Sequence, residues 1–181
     1  MLSLKDLRMR IKSVKSTQKI TAAMKMVAAA KLRRAQEQAE AARPYSERME
    51  RMLKSLAAGI PAGAGGPALL AGTGNDDTHL LVVMTSDRGL CGAYNGNVFR
   101  TALNAVRGSD DNVAIEVAGK KGMGFFRFQK LEVSKQHMVG DTPKYEDVEA
   151  IGSDYLDRYL AGEFDAIRVC SMRYVSTARQ Y

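Results

Sequence analysis

Apolar residues recur at alternating steps of three and four along the first 58 residues. Twelve of sixteen such positions, counted from Leu4, are apolar, and the segment is rich in Ala, Lys, Arg, Gln, Met and Glu, which favour helices. The stripe continues over seven heptads and predicts one long helix with a coiled-coil seam. Pro44 predicts a kink or a restart, because proline disrupts a helix interior. The seam turns polar at Gln18, Thr21 and Lys25, so its partner must change character there.

The pattern changes after this segment. Six glycines and two prolines between Gly59 and Gly74 predict a flexible linker. Beyond it, apolar runs typical of strands alternate with helical patterns, which favours an α/β fold with a mostly parallel sheet. The predicted domains are a helix over 1–58, a linker over 59–78 and an α/β domain over 79–181. The predicted strands are 79–86, 112–119, 131–139 and 166–175, and the predicted helices are 94–107, 121–128 and 145–164.

The predicted helix is too long for the domain that follows it. A helix over residues 4–58 extends about 80 Å, whereas a compact domain of the remaining residues has a diameter of roughly 35 Å. Eight large apolar side chains lie along the seam, and burying them would contribute well over ~10 kcal/mol. No second helix of that length is predicted in these 181 residues, so the pattern predicts a partner from another segment.

The charge is unevenly distributed. The chain has a net charge of +7, but residues 1–58 hold fourteen Lys and Arg against five Asp and Glu, and the remainder is slightly acidic. A basic helix is attracted to nucleic acid, anionic lipid or an acidic protein surface. No uninterrupted apolar run approaches the roughly 18 to 20 residues of a membrane span. Two cysteines and the lack of a secretory signal predict an intracellular protein.

The motifs of nucleotide-binding enzymes are incomplete. "AIEVAGKKG" retains Gly119 and Lys120 of a phosphate loop, but Ala114 and Lys121 replace its first glycine and its hydroxyl residue. "GAGGPA" over 63–68 matches a dinucleotide fingerprint in letters, but it lies in the predicted linker without a preceding strand. These patterns do not predict a nucleotide site.

The segment "TSDRGLCGAYN", residues 85–95, follows the first predicted strand. No histidine lies nearby in the chain to act as a base, and the two His and two Cys are scattered without metal-ligand spacing. We expect Cys91 to be an ordinary buried small residue rather than a reactive thiol, and Cys170 to be a core residue. The loop is either a tight turn, with Asp87 and Arg88 capping or pairing locally, or a contact surface, and both interpretations are compatible.

Two segments together carry a family resemblance. "IKSVKSTQKITAAMKMVAAAKLRRAQ", residues 11–36, followed by "TSDRGLCGAYN", resembles the γ subunit of F-type ATP synthases, and the likeness continues in order through the last predicted strand. The resemblance implies a Rossmann-like three-layer α/β/α domain. It also implies a left-handed antiparallel coiled coil between the N-terminal helix and a C-terminal helix, which would lie beyond Tyr181.

The resemblance implies a function without chemistry of its own. Members of this family form the rotor shaft that transmits torque between the proton-driven c-ring and the catalytic β subunits. The implied partners are the α and β subunits, the ε subunit and the c-ring, with no nucleic acid and no cofactor. The implied location is the cytoplasmic face of a bacterial inner membrane, or the matrix side in mitochondria, as a peripheral subunit of the complex.

The resemblance also assigns contact residues. In the family, one region of the long helix faces the β subunits, and an arginine in the strand-end loop meets an acidic β segment. These roles fall here on Thr21, Met24, Lys25 and Lys31 of the helix and on Arg88, with Asp87 beside it. Read without the family, the same residues are solvated helix charges, a packing methionine and a local ion pair. The alternatives are a basic helical nucleic-acid-binding protein and, with weaker support, an enzyme.

Overall fold

The protein folds as two compact units, residues 1–61 and 62–181. A computed structural model describes residues 3–60, 66–109, 112–140, 143–176 and 179–180. Within these ranges no helix combines the length and the apolar character that crossing a membrane requires. The two units are described separately below.

The first unit is a single helix, α1, over Leu4–Ala58. Ser3 caps its N-terminus: the Asp6 amide donates to the Ser3 hydroxyl at 3.2 Å, and the Ser3 amide donates to the Asp6 carboxylate at 3.2 Å. This reciprocal pair satisfies two of the amide groups that a helix start leaves without a partner. Pro44 lies inside α1, which continues through it without a restart.

The apolar seam of α1 is exposed along its length, and none of the described residues of this helix is buried. At the polar interruption, the Thr21 hydroxyl donates to the carbonyl oxygens of Thr17 and Gln18 at 3.0 Å. The Thr21 hydroxyl is therefore satisfied within the helix itself. The large exposed seam residues are Leu4, Leu7, Ile11, Val14, Leu32, Met49, Leu53 and Leu56.

The second unit is built around a four-stranded parallel sheet. Its strands are β1 (Thr78–Met84), β2 (Asn112–Ala118), β3 (Lys135–His137) and β4 (Ala166–Cys170), in the order β3-β2-β1-β4. Its helices are α2 (Ala68–Ala71), α3 (Tyr94–Arg107), α4 (Lys120–Phe128) and α5 (Tyr145–Leu160). Two short strands, β5 (Tyr174–Ser176) and β6 (Arg179–Gln180), pair antiparallel in a separate sheet.

The alternation of side chains along β1 divides the core into two layers. Leu81 and Val83 pack with residues of α3 and α4, including the fully buried Phe126. Leu80 and Val82 pack on the opposite face, which α5 covers. Successive strand residues point to opposite faces, so an uninterrupted apolar strand needs helices on both sides. The predicted three-layer α/β/α class is confirmed.

Several predicted boundaries differ from the observed ones. The strand predicted over 131–139 is reduced to β3, because it pairs only with the last three residues of β2. The strand predicted over 166–175 is two strands: β4 ends at Cys170, opposite Val83 near the end of β1, and β5 turns away to pair with β6. The helix predicted over 145–164 ends at Leu160. The predicted linker contains the one-turn helix α2 in its described part.

Candidate functional site

The candidate site is the loop of residues 85–93, between β1 and α3. It follows the carboxyl end of a central strand, beside the point where the strand order reverses between β1 and β4. Ligands of open α/β sheets bind at such edges. A cleft of about 390 Å³ lies over this edge, lined by the loop and by the residues that follow β2 and β3.

Thr85 joins the loop to the neighbouring strand. Its amide and its hydroxyl both donate to the carbonyl oxygen of Ala118, at 2.7 and 2.9 Å, and the Gly122 amide donates to its hydroxyl oxygen at 3.0 Å. A side chain at Gly119, where φ is +96°, would overlap the Thr85 carbonyl. The loop is therefore held against β2 and α4 by contacts that require a glycine at this position.

Asp87 occupies the N-terminus of α4. The Lys120 amide donates to the Asp87 carboxylate at 3.0 Å, and the Lys121 amide donates to the Ser86 carbonyl at 3.1 Å. The first amides of a helix lack internal partners and attract anions. Here the Asp87 carboxylate supplies the negative charge. Asp87 therefore occupies the position at which a phosphate would bind.

Asn95, in the first turn of α3, closes the other side of the loop. It accepts the Ser86 amide at 3.1 Å and donates to the Ser86 hydroxyl at 2.7 Å and to the Cys91 sulfur at 3.1 Å. Cys91 is exposed and lies before α3 begins. The expectation that Cys91 is a buried residue is therefore wrong: the residue is exposed, and its sulfur accepts a hydrogen bond from Asn95. Cys170 is buried, as predicted.

The described residues do not assemble a reaction centre at this loop. The two histidine rings are bound to carboxylates in other parts of the unit: His79 contacts Asp76 at 2.7 Å, and His137 contacts Glu116 at 2.7 Å. Among the described residues no group of three or more His, Cys, Asp or Glu is arranged to hold a metal ion. The geometry of the described residues does not favour acid–base or nucleophilic chemistry at this loop.

A second polar cluster lies between the sheet and α5. Glu116 is fully buried on β2, and Arg158 of α5 donates to its carboxylate at 2.6 Å. His137 and Tyr155 contact the other carboxylate oxygen at 2.7 and 3.1 Å. Arg158 also lies over the Phe164 ring, 4.7 Å from its centroid. In the described residues no buried side-chain nitrogen or oxygen lacks a hydrogen-bond partner.

The ionisation of this cluster follows from its contacts. Burial alone would raise the pKa of Glu116, but hydrogen bonds from Arg158, His137 and Tyr155 outweigh it and hold the pKa below its ordinary value. Burial, together with the Glu116 charge, raises the pKa of Tyr155. Hydrogen bonds to Glu163 and Glu116 raise the pKa of Arg158. The cluster therefore contains a carboxylate and a guanidinium at neutral pH and serves to bind α5 to the sheet.

The predicted contact residues fall into two groups that belong to different units. Asp87 and Arg88 lie together in the loop, with Arg88 exposed. The helix residues Thr21, Met24, Lys25 and Lys31 lie on successive turns of α1 and are exposed. Their contacts with other subunits stay predictions.

Sequence reasoning missed two features of the site region. The sequence places Asn95 at the end of the polar loop and at the start of a predicted helix, but it does not predict that Asn95 binds both Ser86 and Cys91. Glu116 was read as part of an apolar strand. A single carboxylate inside an apolar strand predicts a buried ion pair, because a buried charge requires a partner. The sequence spacing does not identify Arg158 as that partner.

Asp87→Ala is expected to lower the free energy of unfolding of the second unit by about 1 kcal/mol, because the first amide of α4 loses its acceptor. Urea denaturation followed by the near-ultraviolet circular dichroism of tyrosine measures the change, since all tyrosines except Tyr45 lie in this unit. Asp87→Asn, which keeps an acceptor oxygen, is the control and should lose less. Equal losses in both variants would contradict a capping role.

The fold and the loop define a class of protein. It is a doubly wound α/β domain whose strand-end loop is closed by its own hydrogen bonds, joined in the chain to a 55-residue basic helix with an exposed apolar seam. This combination is typical of an interaction subunit. A family model described as ATP synthase matches residues 3–181, and the chain belongs to the γ-chain family of ATP synthases.

Curated relatives agree with this membership. The chain is 46% identical to the ATP synthase gamma chain of Parvibaculum lavamentivorans, over 99% of this chain and 63% of that one. It is 47% identical to the gamma chain of Rhodospirillum rubrum, over 99% and 62% of the two chains, and 49% identical to that of Methylobacterium nodulans, over 99% and 64%. The chain thus spans about six tenths of the length of these relatives. The comparisons give the nucleic-acid alternative no support.

Proposed function

We propose that this chain is a non-catalytic part of the rotor shaft of an F-type ATP synthase and transmits torque between the c-ring and the catalytic β subunits. The observation that carries the proposal is α1, an uninterrupted helix of 55 residues whose apolar seam is exposed throughout. A seam of this length gains stability only against another long helix. We infer that its partner is the C-terminal helix typical of this family.

The proposed work divides along the chain. Residues 1–58 form the shaft, and the second unit, residues 62–181, forms the domain that joins the ε subunit and the c-ring. Torque is transmitted if an asymmetric shaft contacts the open and the closed state of each β subunit differently. A contact shifts the equilibrium between these two states only by the difference in its affinity for them. The chain is then a peripheral subunit, at the cytoplasmic face of a bacterial inner membrane or at the matrix side in mitochondria.

Two contact groups serve this mechanism. Thr21, Met24, Lys25 and Lys31 would face the β subunits from the shaft. Arg88, with Asp87 beside it, would meet an acidic segment of a β subunit from the loop, since a planar guanidinium binds a carboxylate in two-point geometry. The polar atoms of Thr85, Ser86 and Asn95 hold the backbone of this loop in place, which reduces the entropy lost on contact.

Co-expression with the α and β subunits of the same source tests the proposal. We expect the chain to co-purify with them, and we expect ATP hydrolysis only when β is present. Arg88→Ala should change the free energy of unfolding of the chain by less than about 1 kcal/mol, because Arg88 is exposed. It should lower turnover of the assembly under load by about tenfold, which corresponds to ~1.4 kcal/mol. The measurement is the hydrolysis rate of the purified assembly at increasing viscous load.

Two further variants calibrate this result. Arg88→Lys, which keeps the charge without the planar fork, should lie between the wild type and Arg88→Ala. Arg127→Ala removes an exposed arginine from the last turn of α4 and should have no effect. ATP hydrolysis by the chain after complete removal of β, or failure of the chain to co-purify with α and β, would overturn the proposal.

A further inference from the structure

The tip of loop 85–93 presents an exposed apolar side chain. Leu90 is 102% exposed, the largest value among the exposed large apolar residues described. Single exposed leucines are common on protein surfaces, so exposure alone assigns no role. The conformation of the backbone at this residue makes Leu90 unusual.

Leu90 has a left-handed backbone conformation, with φ at +61°. This region crowds the Cβ atom of any residue other than glycine and is unfavourable for a branched side chain. Gly89 precedes Leu90 and Gly92 lies two residues after it. A glycine at position 90 would adopt the same turn without strain, so the turn itself does not account for the leucine.

The other described non-glycine residue with positive φ has a local explanation. Lys130, with φ at +58°, follows Gln129, the residue that caps the C-terminus of α4. Its amide donates to the Arg127 carbonyl, and the Leu131 amide donates to the Phe126 carbonyl. This pair of bonds is the Schellman motif, in which a left-handed residue terminates a helix. Leu90 belongs to no helix end. Lys130 is therefore a matched control for the backbone strain at Leu90.

Hydrogen bonds hold the loop on both sides of Leu90. The Ser86 hydroxyl donates to the Arg88 carbonyl at 2.5 Å, and Asn95 holds both Ser86 and the sulfur of Cys91, the residue after Leu90. Asp87 fastens the same segment to α4. Residues on both sides of Leu90 are thus fixed by hydrogen bonds. Strained residues persist where the surroundings hold them, and they concentrate at functional contacts.

We propose that Leu90 is an apolar anchor that inserts into a pocket of a catalytic β subunit, and that carboxylates at the rim of this pocket receive the adjacent Arg88. An exposed leucine gains its full burial energy on binding, and the backbone on both sides of it, already held by hydrogen bonds, loses little freedom. An arginine beside an apolar anchor selects a pocket with acidic groups nearby. This inference rests on the proposed function, in which the loop contacts the catalytic part of the complex.

The test uses the assembly of α and β subunits as the binding probe and measures its affinity for the full chain. Leu90→Gly is expected to weaken binding by about ten- to a hundredfold, the effect of losing one buried leucine. Its urea unfolding midpoint should not fall, because the strain at position 90 is relieved. Leu90→Ala should weaken binding similarly. Leu90→Met, which keeps an apolar side chain of similar volume, should stay within about threefold of the wild type.

Two controls separate the anchor from other effects. Lys130→Gly removes the same kind of backbone strain outside the loop and should leave the affinity unchanged. The thiol of Cys91 provides a second readout, because Cys91 is exposed and Cys170 is buried. Alkylation of Cys91 should slow by at least about tenfold in the wild-type assembly, as expected for a buried thiol, and should recover in Leu90→Gly at the same subunit concentrations.

The outcomes distinguish the anchor from the proposed function. If the wild-type chain neither binds the α and β subunits nor protects Cys91, the proposed function itself is overturned, and the anchor with it. If the wild-type chain binds and protects Cys91, but Leu90→Gly and Leu90→Ala bind equally well, only the anchor is overturned. A fall in the unfolding midpoint of Leu90→Gly with unchanged affinity would assign Leu90 to the stability of the loop and would also overturn it.

Discussion

Arg158→Ala is expected to lower the free energy of unfolding of the α/β unit by about 3 kcal/mol at neutral pH, because it leaves the buried Glu116 without its ion-pair partner. We place the loss at the lower end of the range for broken buried pairs, since 21% of the Arg158 side chain is exposed and water replaces part of the interaction. His137 and Tyr155 remain as hydrogen-bond partners. Urea denaturation followed by tyrosine circular dichroism measures the loss.

The destabilisation caused by Arg158→Ala should depend on pH. In the wild type the pKa of Glu116 is held below its ordinary value, so the pair stabilises the fold above the unfolded pKa, and this stability is lost as the pH falls through the folded pKa. Without Arg158, burial favours the protonated form of Glu116. The destabilisation caused by Arg158→Ala should therefore shrink when the pH is lowered from 7 to about 4, where an ordinary glutamic acid is largely protonated.

Two variants test the cause of that loss. Glu116→Gln combined with Arg158→Ala removes the unpaired charge and should recover part of the stability at pH 7. Lys135→Ala breaks the 2.9 Å pair with Asp154 at the surface of the same region and should cost less than about 1 kcal/mol. A similar loss from Lys135→Ala and Arg158→Ala would contradict the assignment of the effect to the buried charge.

Gly119→Ala is expected to destabilise the same unit by about 3 kcal/mol. The new methyl group would overlap the carbonyl oxygen of Thr85, and the residue would be held at a φ of +96°, which side chains rarely adopt. The main chain of Thr85, directly after β1, would have to move away from Gly119. The Asp87 cap of α4 would then weaken as well, since it lies two residues after Thr85. The measurement is the urea unfolding midpoint.

A glycine in the adjoining helix provides the matched control. Gly124 lies within α4, and a Cβ atom there would meet open space. Gly124→Ala should therefore be neutral or stabilising by up to about 1 kcal/mol, because alanine favours the helix. Gly122→Ala, where the methyl group would overlap the Val117 side chain, should cost about 1 to 3 kcal/mol. Equal stability of Gly119→Ala and Gly124→Ala would exclude a close approach of Thr85 to Gly119.

The candidate site was only partly predictable. The position of the loop followed from the apolar run of β1 and the polar, glycine-containing segment after it, because both signals are local. The exposure of Cys91 was not predictable, since it depends on how Asn95 folds back on the loop. The left-handed conformation of Leu90 was also hidden, because leucine is not a residue that marks such turns.

The sequence by itself determined the long helix, the three-layer class and the family. Helical periodicity, strand alternation and the family segments 11–36 and 85–95 are all local signals, carried by residues close together in the chain. Only the tertiary structure decided that Asp87 caps α4, 33 residues further along the chain, and that Arg158 neutralises Glu116, 42 residues before it. The physical reason is that an unpaired helix amide or a buried charge requires a partner but does not specify its distance along the chain. The placement of α4 beside the loop that follows β1 selects Asp87, and the packing of α5 over β2 selects Arg158.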